Sequence, residues 1–130
     1  MIAELQASHI EANVPDESDF SQLLERDLAA YFASRGLSNP SIRYELLRQG
    51  ATQSGIAFPK FYLWVSATSE GDESASGAVR VAAVQKDRFE ITDVLTAEEI
   101  RRDPDRVASV FPALLVDAIR TRAGLGNPNR

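Results

Sequence analysis

The chain has 130 residues, of which 44% are hydrophobic and 25% charged, and its formal net charge is −5. This composition is typical of a globular protein, and we expect residues 1–130 to form one domain with flexible ends at 1–15 and 124–130. The chain contains no cysteine, which excludes disulfide frameworks, thiol catalysis and cysteine-ligated metal centres. An acidic chain repels a phosphate backbone, so no nucleic-acid binding is expected. Apolar runs are short and no signal peptide is recognisable, which predicts a cytoplasmic protein that does not enter a membrane.

An N-terminal helix is predicted over residues 18–35. Its apolar side chains recur at steps of three and four residues, as expected for one buried helix face: Phe20, Leu23, Leu24, Leu28, Tyr31 and Phe32. Gly36 follows and suits a left-handed C-cap, with Leu37 placed to fold back on the last turn.

Four strands are predicted next, over 41–49, 58–68 and 77–85 and around Phe89 and Ile91. The connections between them are short. Because parallel neighbours need crossovers of about a dozen residues or more, the strands are expected to form an antiparallel meander.

The C-terminal part is predicted to hold two helices. Thr96 and Glu99 have the spacing of a capping box at the start of a short helix. Asp103 is the expected N-cap of a longer helix over 104–122. Pro112 lies inside that pattern and predicts a kink or break just before it.

The predicted fold is therefore α+β, with a long N-terminal helix, a four-stranded antiparallel meander, a short helix and a kinked C-terminal helix. Both long helices are expected on one face of the sheet. This order resembles, in coarse topology, cystatin-like folds, including the cone-shaped ones that enclose a ligand. The inhibitor motif Gln-x-Val-x-Gly of that family is missing, since neither Gln49-Gly50-Ala51 nor Gln53-Ser54-Gly55 supplies it. The resemblance therefore implies no function.

The strand over 58–68 is apolar on both faces. Alternation directs Tyr62 and Trp64 to one side and smaller apolar residues to the other. Two large aromatic side chains left in water forgo roughly 1.5–3 kcal/mol each, which favours a covering partner. The leading hypothesis is a non-enzymatic protein-binding or adaptor module that forms a homodimer through Tyr62 and Trp64.

Two other hypotheses stay open, and neither requires a cofactor or metal. The first is a small ligand-binding domain or enzyme with a pocket between sheet and helices, which uses Asp93 with Tyr44 or Tyr31. Asp93 would be desolvated if it continued the apolar face of the fourth strand, or solvated if the strand ended at Thr92. His9, the only histidine, has no surroundings that position it as a base. The second is an acidic chaperone or immunity-type partner of a basic protein, which rests on size and charge.

Overall fold

The computed structural model describes residues 14–48, 50–52, 58–70 and 74–125. His9 and most of the two expected flexible ends lie outside these residues. The described elements, in chain order, are α1 (Glu17–Ser34), β1 (Ser41–Leu46), β2 (Lys60–Thr68), β3 (Ser74–Gln85), β4 (Arg88–Thr96), α2 (Ala97–Arg102), α3 (Arg106–Val110), a 3-10 helix (Ala113–Leu115) and α4 (Val116–Arg122).

The four strands form one antiparallel sheet in the order β1-β2-β3-β4. The predicted α+β class and meander are confirmed, and the likeness to cystatin-like folds is only loose. Strand limits differ from the prediction. β1 ends at Leu46 instead of residue 49. β3 begins at Ser74 instead of residue 77, and Ser74 pairs with Thr68 of β2. No helix among the described residues has the length and apolar character needed to cross a bilayer.

The helix α1 ends as its sequence predicts. Gly36 has a φ of 106°, a conformation that favours glycine. The backbone N–H of Leu37 donates to the carbonyl of Phe32 at 3.1 Å, which closes the last turn. Asp27 ties the helix to the sheet, because its carboxylate accepts the backbone N–H of Phe89 at 2.7 Å.

The prediction that both long helices lie on one face of the sheet is wrong. Buried α1 residues pack with the odd-numbered apolar residues of β2, represented by Leu63 and Val65. The C-terminal helices instead pack with Tyr62 and Trp64, which the alternation of the strand places on the opposite face. The molecule therefore has three layers, with α1 on one side of the sheet and the C-terminal helices on the other.

Two irregularities in the pairing of β3 and β4 explain which side chains reach each layer. Arg80 pairs with Asp93 but Val81 pairs with Ile91, so Thr92 is an extra residue in β4. A second shift leaves Val84 as an extra residue in β3, near the turn to β4. Side chains of a regular strand alternate between the two faces, and an extra residue shifts this alternation by one position. Two residues separated by an even number of positions therefore lie on opposite faces when a bulge falls between them.

The C-terminal helical region is broken, as Pro112 predicts. Phe111 is extended, with φ −112° and ψ 155°, and the chain resumes as a 3-10 turn before α4. The expected helix start at Asp103 is wrong by a few residues. Pro104 and Asp105 form a turn, which the backbone N–H of Arg106 closes by donating to the carbonyl of Asp103 at 3.1 Å, and α3 begins at Arg106. Each of these short C-terminal segments still buries one side against the sheet. The buried side chains are Val107, Phe111, Leu115 and Ile119.

Candidate functional site

The aromatic face of β2 is covered by the chain's own C-terminal layer. Tyr62 is 5% exposed and its ring meets that of Phe111 edge-on, with centroids 6.3 Å apart. Its hydroxyl lies 2.9 Å from that of Thr52. Trp64 is half-buried in the same apolar cluster. The C-terminal helices of the same chain therefore cover Tyr62 and part of Trp64, so a second copy is not needed to bury this face.

Asp93 occupies neither of the two positions considered from the sequence. β4 continues to Thr96, and the extra residue Thr92 turns Asp93 away from the α1 layer. Its carboxylate instead accepts from the guanidinium of Arg80, with Nε and Oδ2 2.7 Å apart. Arg80 also donates to the carbonyl of Val110 at 3.3 Å. Asp93 thus belongs to a polar link between the sheet and α3.

The two candidate tyrosines lie on the α1 side of the sheet, away from Asp93. Tyr44 pairs with Val65 in the register of β1 and β2, and its hydroxyl contacts that of Ser21 in α1. Tyr31 is in α1 itself, with the guanidinium of Arg35 5.0 Å from its ring centroid. The structure therefore does not bring Asp93 together with Tyr44 or Tyr31.

A polar cleft of about 560 Å³ lies at the end of the sheet where β2 meets β3. Ser66 pairs with Ser76 and Thr68 with Ser74, so the two pairs stand side by side on the face that carries Trp64. Thr96, at the end of β4, closes the cleft on its other side. We call this the hydroxyl cleft.

The helix α2 supplies the rim of the hydroxyl cleft and is held by its capping box. The backbone N–H of Glu99 donates to Oγ1 of Thr96 at 3.1 Å, and Oε1 of Glu99 accepts from the backbone of Thr96 at 3.4 Å. Arg101 lines the cleft and donates to the carbonyl of Ala123 at 2.9 Å. Glu98 also lines the cleft and lies 3.7 Å from Arg102. The rim therefore presents one acidic and one basic side chain.

A close backbone contact positions the strands beside the hydroxyl cleft. A Cβ atom on Gly77 would lie 2.4 Å from the carbonyl oxygen of Leu95. Because real side chains do not tolerate that distance, only glycine lets β3 approach β4 this closely here.

One ion pair joins the edge of the sheet to the last helix. Both oxygens of Glu45 accept from the guanidinium of Arg122, with Nε and Oε2 3.1 Å apart. The hydrogen bond from Arg122 lowers the pKa of Glu45 below its ordinary value. In the same way, the hydrogen bond to Glu45 raises the pKa of Arg122.

The hydroxyl cleft was not singled out from the sequence, although its signal is present. Serine and threonine alternate with small residues at the end of β2 and the start of β3, and such alternation is typical of a strand face that meets water. Among the described residues, no three histidine or carboxylate side chains are grouped closely enough to hold a metal ion.

Comparison with models of known protein families, with curated proteins and with solved structures finds no match to this chain. The candidate function therefore depends on the geometry of the site.

Proposed function

We propose that this chain is a binding module that holds a small polar ligand in the hydroxyl cleft. The observation that carries the proposal is the paired arrangement of Ser66 with Ser76 and of Thr68 with Ser74. Each hydroxyl both donates and accepts hydrogen bonds, so two adjacent pairs suit a ligand with several polar groups. The opposite charges of Glu98 and Arg101 at the rim favour a neutral or zwitterionic ligand.

The residues around the cleft support binding better than catalysis. A serine or threonine nucleophile needs an adjacent base to take its proton. Glu98 and Arg101 are the titratable side chains in the lining. Within the part of the chain that the structure describes, neither side chain has a hydrogen bond to a hydroxyl of the cleft. The hydroxyl of Thr96 does donate to Oε1 of Glu99 at 3.1 Å, but this contact belongs to the capping box of α2.

Protein binding at Tyr62 and Trp64 is a weaker second proposal. It is supported by the half-burial of Trp64, which leaves part of the indole accessible to a partner. The third hypothesis, an acidic partner of a basic protein, is supported only by the net charge of −5.

Trp64 provides a direct test of the proposed function, because it is the single tryptophan of the chain and precedes Ser66 on the same strand face. A panel of neutral, anionic and cationic polar compounds is screened by thermal shift and tryptophan emission. A compound that binds should lose about tenfold or more in affinity in the Ser66→Ala/Ser76→Ala double variant, since two hydrogen bonds contribute about 1 kcal/mol each.

The matched control is Ser18→Ala, which removes an exposed hydroxyl in α1. It should leave binding unchanged. Equal affinity in the double variant, or no binding by any compound of the panel, would contradict the proposed function.

A further inference from the structure

The strand β1 is an edge strand that pairs with β2 along one side. Within the part of the chain that the structure describes, no strand pairs with its other side. An open cavity of about 740 Å³ runs along that side, bounded by Ser21 and Glu25 of α1 and by residues 42–46 of β1. Edge strands are usually protected by charged side chains, a proline or a bulge. β1 (Ser41–Leu46) has no proline and no bulge, and its two charged residues, Arg43 and Glu45, have opposite signs. The opposite edge, β4, carries the bulge at Thr92.

The pairing with β2 shows which backbone groups of β1 point outward. The N–H of Leu47 donates to the carbonyl of Tyr62 at 2.8 Å, so residue 47 faces β2. In an antiparallel ladder this direction alternates along the strand. Arg43 and Glu45 therefore also direct their backbone groups to β2, and those of Ile42, Tyr44 and Leu46 point to the free edge.

We propose that this edge binds a second copy of the chain, with two β1 strands antiparallel about a two-fold axis at Tyr44. Tyr44 then pairs with Tyr44 of the second copy, and Ile42 pairs with Leu46 of the second copy. All of these residues have outward backbone groups, as a hydrogen-bonded pair requires. Arg43 falls opposite Glu45 of the second copy, and the symmetry repeats this contact.

The charges of β1 select this register over its neighbours. A shift of the two-fold axis to residue 43 places Arg43 opposite its own copy, and a shift to residue 45 does the same for Glu45. Like charges directly opposite one another destabilise a sheet, whereas opposite charges stabilise it. With the axis at Tyr44, Arg43 of each copy lies opposite Glu45 of the other copy, so both charged pairs are complementary.

The charged groups are able to make this contact. Arg43 is exposed, and the structure records no hydrogen bond or ion pair for it within the described ranges. Glu45 is bound to Arg122, but its side chain is 57% exposed and a carboxylate has lone pairs for further donors. The resulting dimer would have a continuous sheet across both copies, with Arg43 beside Ser66 of the hydroxyl cleft and Glu45 beside Trp64.

The test is the oligomeric state of the full chain, measured by sedimentation velocity over a wide range of concentration. The wild type is expected to dimerise, and Arg43→Glu to weaken dimerisation by about tenfold or more, because it places acidic groups opposite each other twice. Arg88→Glu makes the same charge change at the β4 edge and should dimerise like the wild type. A wild type that stays monomeric, or an Arg43→Glu variant that dimerises equally well, would overturn the proposal.

A mixing experiment tests the register itself. Arg43→Glu carries two acids on β1 and Glu45→Arg carries two bases, so each should dimerise poorly alone. Mixed together, the two variants should form a heterodimer, because every charged pair is then complementary. Circular dichroism checks that both variants are folded. Absence of association in the mixture of folded variants would refute the axis at Tyr44.

Discussion

The Ile100→Ala variant tests whether the C-terminal helices cover the second face of the sheet. Ile100 is fully buried in α2 and belongs to the cluster that holds Tyr62 and Trp64. The substitution deletes Cγ1, Cγ2 and Cδ1, and at about 0.8 kcal/mol per buried carbon the transfer loss is about 2.4 kcal/mol. A cavity adds to this loss, so we expect the free energy of unfolding to fall by about 2–5 kcal/mol.

The assay is urea denaturation followed by circular dichroism and by the emission of Trp64. Two control variants show whether the loss of stability and the change in Trp64 emission are specific to the C-terminal layer. Leu24→Ala removes a fully buried side chain from the α1 layer, and should cost a similar free energy while leaving the native emission of Trp64 unchanged. Leu114→Ala alters a side chain that is 96% exposed and should change stability by no more than about 0.5 kcal/mol.

The outcome that refutes the three-layer arrangement is specific. If Ile100→Ala costs less than about 1 kcal/mol while Leu24→Ala costs the full amount, the C-terminal helices do not bury the second face. Tyr62 and Trp64 would then be available to a partner, and their exposed apolar surface would favour protein binding at that face.

Three further predictions concern single contacts. The pKa of Glu45 is lowered in the folded chain, so its stabilisation is complete above about pH 4.3, the ordinary glutamate value, and is lost as the pH falls through the lowered pKa. Denaturation of wild type and Glu45→Gln should therefore differ at neutral pH and converge in acid; a constant difference would contradict the contact with Arg122. Thr96→Ala should cost about 1 kcal/mol in urea denaturation by removing the cap of α2, and Thr96→Ser should restore most of it; equal loss in both would argue against capping. Gly77→Ala should cost about 1–3 kcal/mol in a thermal melt, because its Cβ meets the carbonyl of Leu95, and an unchanged melting temperature would show that the strands are not so close.

Local rules predicted three boundaries of the helical segments correctly. The capping box at Thr96, the glycine turn at Gly36 and the break at Pro112 are all confirmed. Each depends on residues that are neighbours in the sequence, so the pattern itself contains the interaction.

The distribution of helices between the two faces was predicted wrongly because it is not a local property. The apolar character of Tyr62 and Trp64 showed that something covers that face. It did not show whether a helix of the same chain or a second molecule does so. The helical segments on either side of Pro112 together bury one continuous cluster.

The candidate site was missed for a related reason. Ser66, Thr68, Ser74 and Ser76 are ordinary surface residues in isolation, and only the register of β2 with β3 makes them adjacent pairs. The position of Asp93 was also unpredictable, since nothing in the sequence marks Thr92 as an extra residue. Arg43 and Glu45 can be read from the sequence, but the proposed dimer register also depends on the position of β1 at the edge of the sheet.

The bulge at Thr92 determines which layer each side chain of β4 contacts. Ile91 meets the α1 layer, whereas Leu95 meets the C-terminal layer, and the single added residue between them makes this possible. If β4 paired regularly without the bulge, residues four positions apart would lie on the same face, and Leu95 would point to the α1 layer instead of the layer over Tyr62. The residues from Ile91 to Leu95 therefore fit both apolar clusters only in the bulged pairing.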